Sequence, residues 1–289
     1  MKNRNPAFSA VLIKTRPGDD KVTSYVQSVI SEYCMENQLP WKLNDSMLSG
    51  RGDLLIVAVG GDGTMLGAMR DALQYDNPIV YGVNTGTLGF LSEDIGTSKF
   101  YRPTELKEKI VNSLNDVMRR NGMIEERMLL QATLSVGGDI VNDNLVAVNE
   151  FVLAPSYAQH PLVVEVEINN NFVSSNLGSG VLVSTATGST AMALSGGGAI
   201  VSPSTNIIQI VPILAHTLTN RPIITTGRDT ITLKAPIIKG GVDILADGMW
   251  LHSADEPVTL TIKKNPQKVK LFRPIGWNFF NVLREKMKW

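Results

Sequence analysis

The spacing of apolar residues changes once, near Gly122, and that change restricts the chain to two kinds of architecture in succession. Upstream, compact apolar runs at Ala10 to Ile13, Leu54 to Val59 and Ile79 to Val83 alternate with helix-like segments at Lys21 to Glu36 and Met65 to Leu73. That alternation is the signature of βαβ units around a parallel sheet. Leu106, Ile110, Leu114 and Val117 recur at helical spacing and predict a further helix with Thr104 as its N-cap. Downstream the period falls to two: Val164, Val166 and Ile168 alternate with Glu165 and Glu167, as on a half-buried strand. Turn signals punctuate this half at Gly137-Gly138, Asn169 to Asn171, Gly227-Arg228-Asp229, Gly240-Gly241 and Asn265-Pro266. The segment Trp277 to Trp289 is amphipathic, with Phe280 and Leu283 opposed to Arg284, Glu285 and Lys288. The expected layout is therefore α/β plus all-β. A Rossmann-like α/β domain covers residues 1–120, a β-sandwich-like domain covers 121–275, and a terminal helix, 276–289, packs back on the first.

Composition narrows the partners. The 27 basic and 27 acidic residues cancel, so no overall field draws the chain to nucleic acid or to an anionic membrane, and any anion site is local. The lone cysteine, Cys34, excludes an internal disulfide framework and a multi-thiolate metal site, and it suits a reducing cytoplasm. Met1 to Pro6 is basic, but the apolar run that follows it, Ser9 to Ile13, is too short for a signal segment. No apolar stretch approaches the roughly 20 residues of a membrane span.

The sharpest local signal is Gly60-Gly61-Asp62-Gly63-Thr64, set between a buried strand and a helix start. Glycines there let backbone approach a phosphate, and the exposed amides of a helix start carry partial positive charge. A carboxylate in such a loop repels phosphate unless it accepts a proton or helps hold a cation; the alternative is a tight turn with Asp62 as N-cap. Arg70, two turns along, either reaches a phosphate or is a solvated surface arginine. The spacing fits neither the Walker loop nor the GxGxxG fingerprint. A second glycine cluster, Gly82 to Leu91, follows the next strand, so both turns are expected to face one crevice at the carboxyl ends of neighbouring strands. Phe90 in that cluster lies either against a base or in the core.

In this order and spacing, the residues resemble the NAD kinase family. The resemblance rests on Gly60 to Thr64, Gly82 to Phe90, Asn149-Glu150 and the run Gly180 to Ala191, with further similarity at Glu126 to Leu129, Pro203-Ser204, His216 to Leu218 and Arg221-Pro222. It implies phosphorylation of the 2′-hydroxyl of NAD's adenosine ribose by ATP, with Mg²⁺ or another divalent cation accompanying the donor. By the same resemblance Asp62 is the base. Gly60, Gly61, Gly63, Thr64 and Arg70 serve the ATP phosphates. Phe90, Asn149, Glu150, Ser179, Thr187, Thr190, Ala191, Met192, Ser195 and Asp247 line the NAD site, with no protein-held metal. Family members form homodimers or homotetramers that complete the NAD site with residues of a neighbouring subunit. Taken alone, Asn149-Glu150 also reads as a strand-end turn, the run around Thr187 as a polar turn, and Asp247 as a hairpin residue.

The chain departs from the family pattern at Ser179 for aspartate, Met192 for tyrosine, Ala186 for proline, and Asn176-Leu177 where an arginine is common. These remove a negative charge, an aromatic face, a rigid residue and a cation. They keep two alternatives in view: a catalytically weak dinucleotide-binding regulator, and a lipid or small-alcohol kinase of the same superfamily.

Overall fold

The computed structural model describes residues 8–16, 20–44, 53–95, 102–217, 219–236 and 239–289. It divides into two compact units, one formed by residues 1–126 with 269–289, the other by 127–268. Leu218, in the His216 to Leu218 segment, and Met1 to Pro6 lie outside the described residues.

In the first unit, β1 (Ala10–Lys14), β2 (Trp41–Leu43), β3 (Leu54–Val59), β4 (Ile79–Asn84) and the short β5 (Glu93–Asp94) run parallel. The final residues of the chain's last strand add to β4 in parallel, with Lys270 opposite Ile79. Period two sorts the central strands. Val11, Ile13, Leu55, Val57, Ile79 and Tyr81 share a core with Val26, Val29 and Ile30 of α1 (Lys21–Glu36). On the other face, Gly82 has room for no side chain because a Cβ there would stand 2.8 Å from Met65 Sδ of α2 (Asp62–Asp71). The helix α3 (Pro103–Met118) adds Leu106, Ile110, Leu114 and Val117 to the α1 core, as its spacing predicts. Its N-cap is Arg102 and not Thr104, because Pro103 occupies the first turn, where its missing N–H costs nothing. The helix α2 starts at Asp62, three residues before the predicted Met65, and passes into a 3₁₀ turn at Ala72–Gln74.

Buried Arg273 braces this unit. Its Nε donates to Glu125 Oε2 at 2.8 Å, its Nη1 to the Leu91 carbonyl at 2.7 Å, and its guanidinium lies 4.1 Å from the Trp277 ring centroid.

The second unit is antiparallel. It takes most of β6 (Gly122–Val136), then β7 (Asp139–Ala147), β8 (Glu150–Pro155), β9 (Leu162–Ile168), β10 (Asn171–Gly178) and β11 (Val181–Thr185). A 3₁₀ turn at Thr187–Thr190 and the short α4 (Met192–Ser195) follow. The remaining strands are β12 (Ile207–Pro212), β13 (Ile223–Thr226), β14 (Ile231–Ala235), β15 (Val242–Ala246), β16 (Met249–Ala254) and the first part of β17 (Val258–Pro274). One layer runs β10-β9-β14-β17 and the other β13-β12-β11-β8-β15-β16. Val164 and Val166 from the first layer meet Phe151, Val183 and Ile244 from the second in one core, which makes this unit a sandwich. Glu165 and Glu167 stand half-buried on either side of buried Val166, as the alternation requires.

Asn169 and Asn170 take φ of 51° and 64° at the β9–β10 hairpin, a left-handed geometry that asparagine tolerates. Asn265-Pro266 is no turn. It lies inside β17, where Asn265 Oδ1 accepts the Gln267 N–H at 2.8 Å. Ala186 holds φ −59°, close to the value a proline ring would fix. The terminal helix α5 (Phe279–Met287) buries Phe279 and Leu283, while Phe280, expected on the apolar side, is 63% exposed.

Among the described residues no helix is long and apolar enough to cross a membrane.

Candidate active site

The two glycine-rich turns of the first unit are joined through Asp62. Its Oδ2 accepts the Phe90 N–H at 2.8 Å and its Oδ1 accepts the Leu91 N–H at 3.1 Å. Asp62 is thus the first residue of α2, capped by Gly61, and its carboxylate reaches away from its own helix to the loop after β4. Gly89 has no side chain for a physical reason: a Cβ there would run into the Asp62 carboxylate. The second turn is shaped by Asn84, which donates to the Thr87 carbonyl at 2.8 Å and accepts the Gly86 N–H at 2.8 Å. Thr23 Oγ1 at the start of α1 meets Thr85 Oγ1 at 2.6 Å. A carboxylate has about four lone-pair sites and two are used by amides, so each Asp62 oxygen keeps a direction in which to take a proton.

Gly60, Gly61, Gly63, Thr64, Thr85 and Gly86 line a single hollow of about 180 Å³, together with Arg16, Asp20 and Thr23. It lies at the carboxyl ends of three parallel strands and at the amino ends of α1 and α2, where fixed N–H dipoles favour an anion. The cation there is Arg16: a Cβ on Gly63 would stand 2.8 Å from its Nη2. Arg70, expected at this place, sits in the last turn of α2, about 12 Å along the axis from Asp62, and does not line the hollow. Arg16 and Thr64 also line a neighbouring hollow of about 350 Å³, floored by a 2.6 Å Lys14–Asp71 ion pair. Phe90 is core. Its ring is 8% exposed and packs on Phe279 at 6.1 Å between centroids. Among the described residues no three His, Cys, Asp or Glu side chains gather as a metal centre.

A second constellation forms in the sandwich. Asp247 sits at φ 50° in the β15–β16 hairpin and accepts N–H bonds from Val148 at 3.0 Å, Asn149 at 2.7 Å and Glu150 at 3.4 Å. The hairpin reading of Asp247 holds, and the turn presents a carboxylate that fixes the Asn149-Glu150 backbone. The Asn149 carbonyl accepts the Thr185 N–H at 2.8 Å, and Thr185 Oγ1 donates to the Val148 carbonyl at 2.7 Å. Gly188 packs so close that a Cβ would strike the Asn149 carbonyl. Buried Arg127 donates to Thr187 Oγ1 at 3.2 Å. Thr190 and Ala191 are half-buried, and Met192 and Ser195 are exposed on α4. Ser179 stands apart. It precedes β11 whereas Thr187 follows it, so up to about 20 Å of extended chain lies between Ser179 and Thr185.

Glu150 is the electrostatic centre of this cluster. It is 3% exposed, it accepts the Met192 backbone N–H, and its Oε2 has no hydrogen-bond partner. Burial first, and the Asp247 charge second, push its carboxyl from 4.5 up to about 8. A buried acid kept neutral near pH 7 can donate a hydrogen bond as well as accept one. Because the folded chain holds this proton to a higher pH than the unfolded chain does, stability falls as pH rises from about 4.5 to about 8. At about 1.4 kcal/mol for each tenfold change in proton affinity, the loss is on the order of 5 kcal/mol. We expect Glu150→Gln to flatten that decline, so that its melting temperature exceeds the wild type's at pH 8 and approaches it at pH 5. Parallel melting curves across this range would show that Glu150 carries no such penalty.

Residues 45–115 match the family model for the ATP-NAD kinase N-terminal domain, and residues 148–273 match that for the ATP-NAD kinase C-terminal domain. An NAD kinase of Shewanella woodyi is 38% identical over 243 residues, covering 84% of this chain and 78% of the relative. The crystal structure of yeast NADH kinase complexed with NADH superposes with a TM-score of 0.79 at 20% identity, over 99% of this chain and 89% of that one. An NAD kinase from Archaeoglobus fulgidus in complex with ATP gives 0.70 at 22% identity, over 96% and 98%. At these identities the two structures speak to the fold.

Proposed function

The chain belongs to the NAD kinase family and is a phosphotransferase of that kind, and from this premise we propose how its residues divide the reaction. Asp62 takes the proton from the 2′-hydroxyl of NAD's adenosine ribose. The freed oxygen bonds to the terminal phosphorus of ATP, the bond from that phosphorus to its bridging oxygen breaks, and ADP leaves. The observation that carries this reading is the Asp62 carboxylate, fixed by the Phe90 and Leu91 amides beside a hollow built of helix starts. Gly60, Gly61, Gly63, Thr64 and Arg16 hold the donor phosphates. Mg²⁺ or another divalent cation arrives on those phosphates, since among the described residues Asp20 is the one carboxylate that lines the hollow and no cluster of His, Cys, Asp or Glu forms a metal centre. Bound there, the cation would neutralise phosphate charge.

Asn149 and Glu150, with Thr187, Thr190, Ala191, Met192 and Ser195, receive the dinucleotide, and Asp247 acts through the backbone it holds. We place the enzyme in the cytoplasm, as a homodimer or homotetramer. The distance of Ser179 from Thr185 along one chain supports a site to which a second copy contributes Ser179. The regulator and lipid-kinase alternatives are not favoured beside relatives named NAD kinase at 35–38% identity.

The test is a coupled NADP-formation assay with NAD, ATP and Mg²⁺; no NADP from the purified chain would refute the assignment. The same assay reads Ser179. Oxidised nicotinamide is cationic and reduced nicotinamide is not, and two charges 4 to 6 Å apart in a partly solvated site interact by roughly 1 to 4 kcal/mol. Ser179→Asp is expected to raise the ratio of kcat/KM for NAD over NADH several-fold, whereas an unchanged ratio removes position 179 from nicotinamide recognition.

A further inference from the structure

The terminal helix brings a cation to Asp62. Phe279, Leu283 and Lys286 fall at i, i+4 and i+7 of α5, so the face that buries Phe279 and Leu283 also aims Lys286 inward. Lys286 Nζ lies 4.0 Å from Asp62 Oδ2 and 4.5 Å from the Phe90 ring centroid, its side chain 36% exposed. The helix is fixed there by Phe279 against Phe90 and by Asn278, whose side chain accepts the Phe280 N–H at 2.8 Å. The ammonium is thus held over an aromatic face beside a carboxylate that already has two amide donors. At 4.0 Å it contributes a field more than a hydrogen bond, and partial exposure leaves it free to exchange partners.

We propose that Lys286 is a ligand for the donor's terminal phosphoryl group. Without donor its ammonium rests against Asp62. With donor bound, it turns to a phosphate oxygen, neutralises charge where the phosphoryl group is transferred, and leaves Asp62 open to the acceptor hydroxyl. This rests on the kinase reading above.

The experiment is calorimetric titration of the full chain with ATP and, separately, with NAD, for wild type, Lys286→Met and Lys286→Arg. Methionine keeps an apolar stem against Phe90 without the charge, and arginine restores the charge. The expected result is a loss of about tenfold in ATP affinity for Lys286→Met, with NAD affinity within about twofold of wild type and Lys286→Arg close to wild type. Wild-type ATP affinity in Lys286→Met overturns the proposal. So does an equal loss for ATP and NAD, or a loss that arginine does not restore, since either marks a structural role. Failure of the wild type to form NADP would refute the kinase reading and leave this ATP comparison readable.

Discussion

Replacing Asp62 with asparagine lowers kcat for NADP formation by about 10²- to 10⁴-fold, the range typical of a lost general base. The amide matches the carboxylate in size but cannot take the proton from the 2′-hydroxyl. The structure adds a second consequence. Both carboxylate oxygens accept backbone N–H groups, from Phe90 and Leu91, and asparagine offers one carbonyl oxygen for two donors. One amide then faces an NH₂ group, at about 1 to 3 kcal/mol. The variant therefore melts somewhat lower than wild type, and kcat is to be compared at a temperature where circular dichroism shows both folded. Affinity for ATP and NAD, measured by calorimetry, is expected to change far less than kcat. Turnover near that of the wild type would remove Asp62 from the base role.

The next largest effect is expected at Asp247, which touches no part of the proposed chemistry directly. Truncation to alanine strips the acceptor from the N–H groups of Val148, Asn149 and Glu150, and replaces a residue tolerant of φ 50° by one that resists it. About 2 to 4 kcal/mol of stability is lost, and the Asn149-Glu150 backbone loses its anchor. NAD affinity should fall by about 10- to 100-fold, while ATP affinity stays near wild type. Asparagine is the discriminating control. It keeps an oxygen for the short bond to Asn149 and accepts the left-handed turn, so Asp247→Asn should retain most of the affinity. It also removes a charge that helps hold Glu150 protonated, so the Glu150 carboxyl should move down from about 8 in that variant. Equal damage from alanine and asparagine would mean that the charge of Asp247, and not its hydrogen bonds, matters to the site.

Local pattern was enough wherever a structure depends on residues close in the chain. The run Leu54 to Val59 is a strand over that whole range, and Lys21 to Glu36 is a helix capped by Asp20, because burial period and capping act over a few residues. The glycine turns were legible for the same reason. Arg16 was missed because a single basic residue after a strand carries no pattern of its own; only the fold sets it over Gly63. Lys286 was missed as well, since nothing local announces a partner more than 200 positions away at Asp62. Asp247 was legible as a hairpin residue, but its bonds to Val148 and Asn149 span 99 and 98 positions. Asn265-Pro266 misled in the opposite sense: a pair that favours turns is carried straight through by the strand around it.

The close fit of Gly89 against the Asp62 carboxylate also constrains genetic change. A side chain at position 89 meets an occupied space for as long as position 62 keeps its aspartate, so the two positions are epistatic. A larger residue at 89 has to displace the Asp62 side chain from the Phe90 and Leu91 amides that hold it. A descendant that has filled position 89 would therefore regain a base at 62 in a displaced position, so restoring Asp62 alone would bring back less than the original activity.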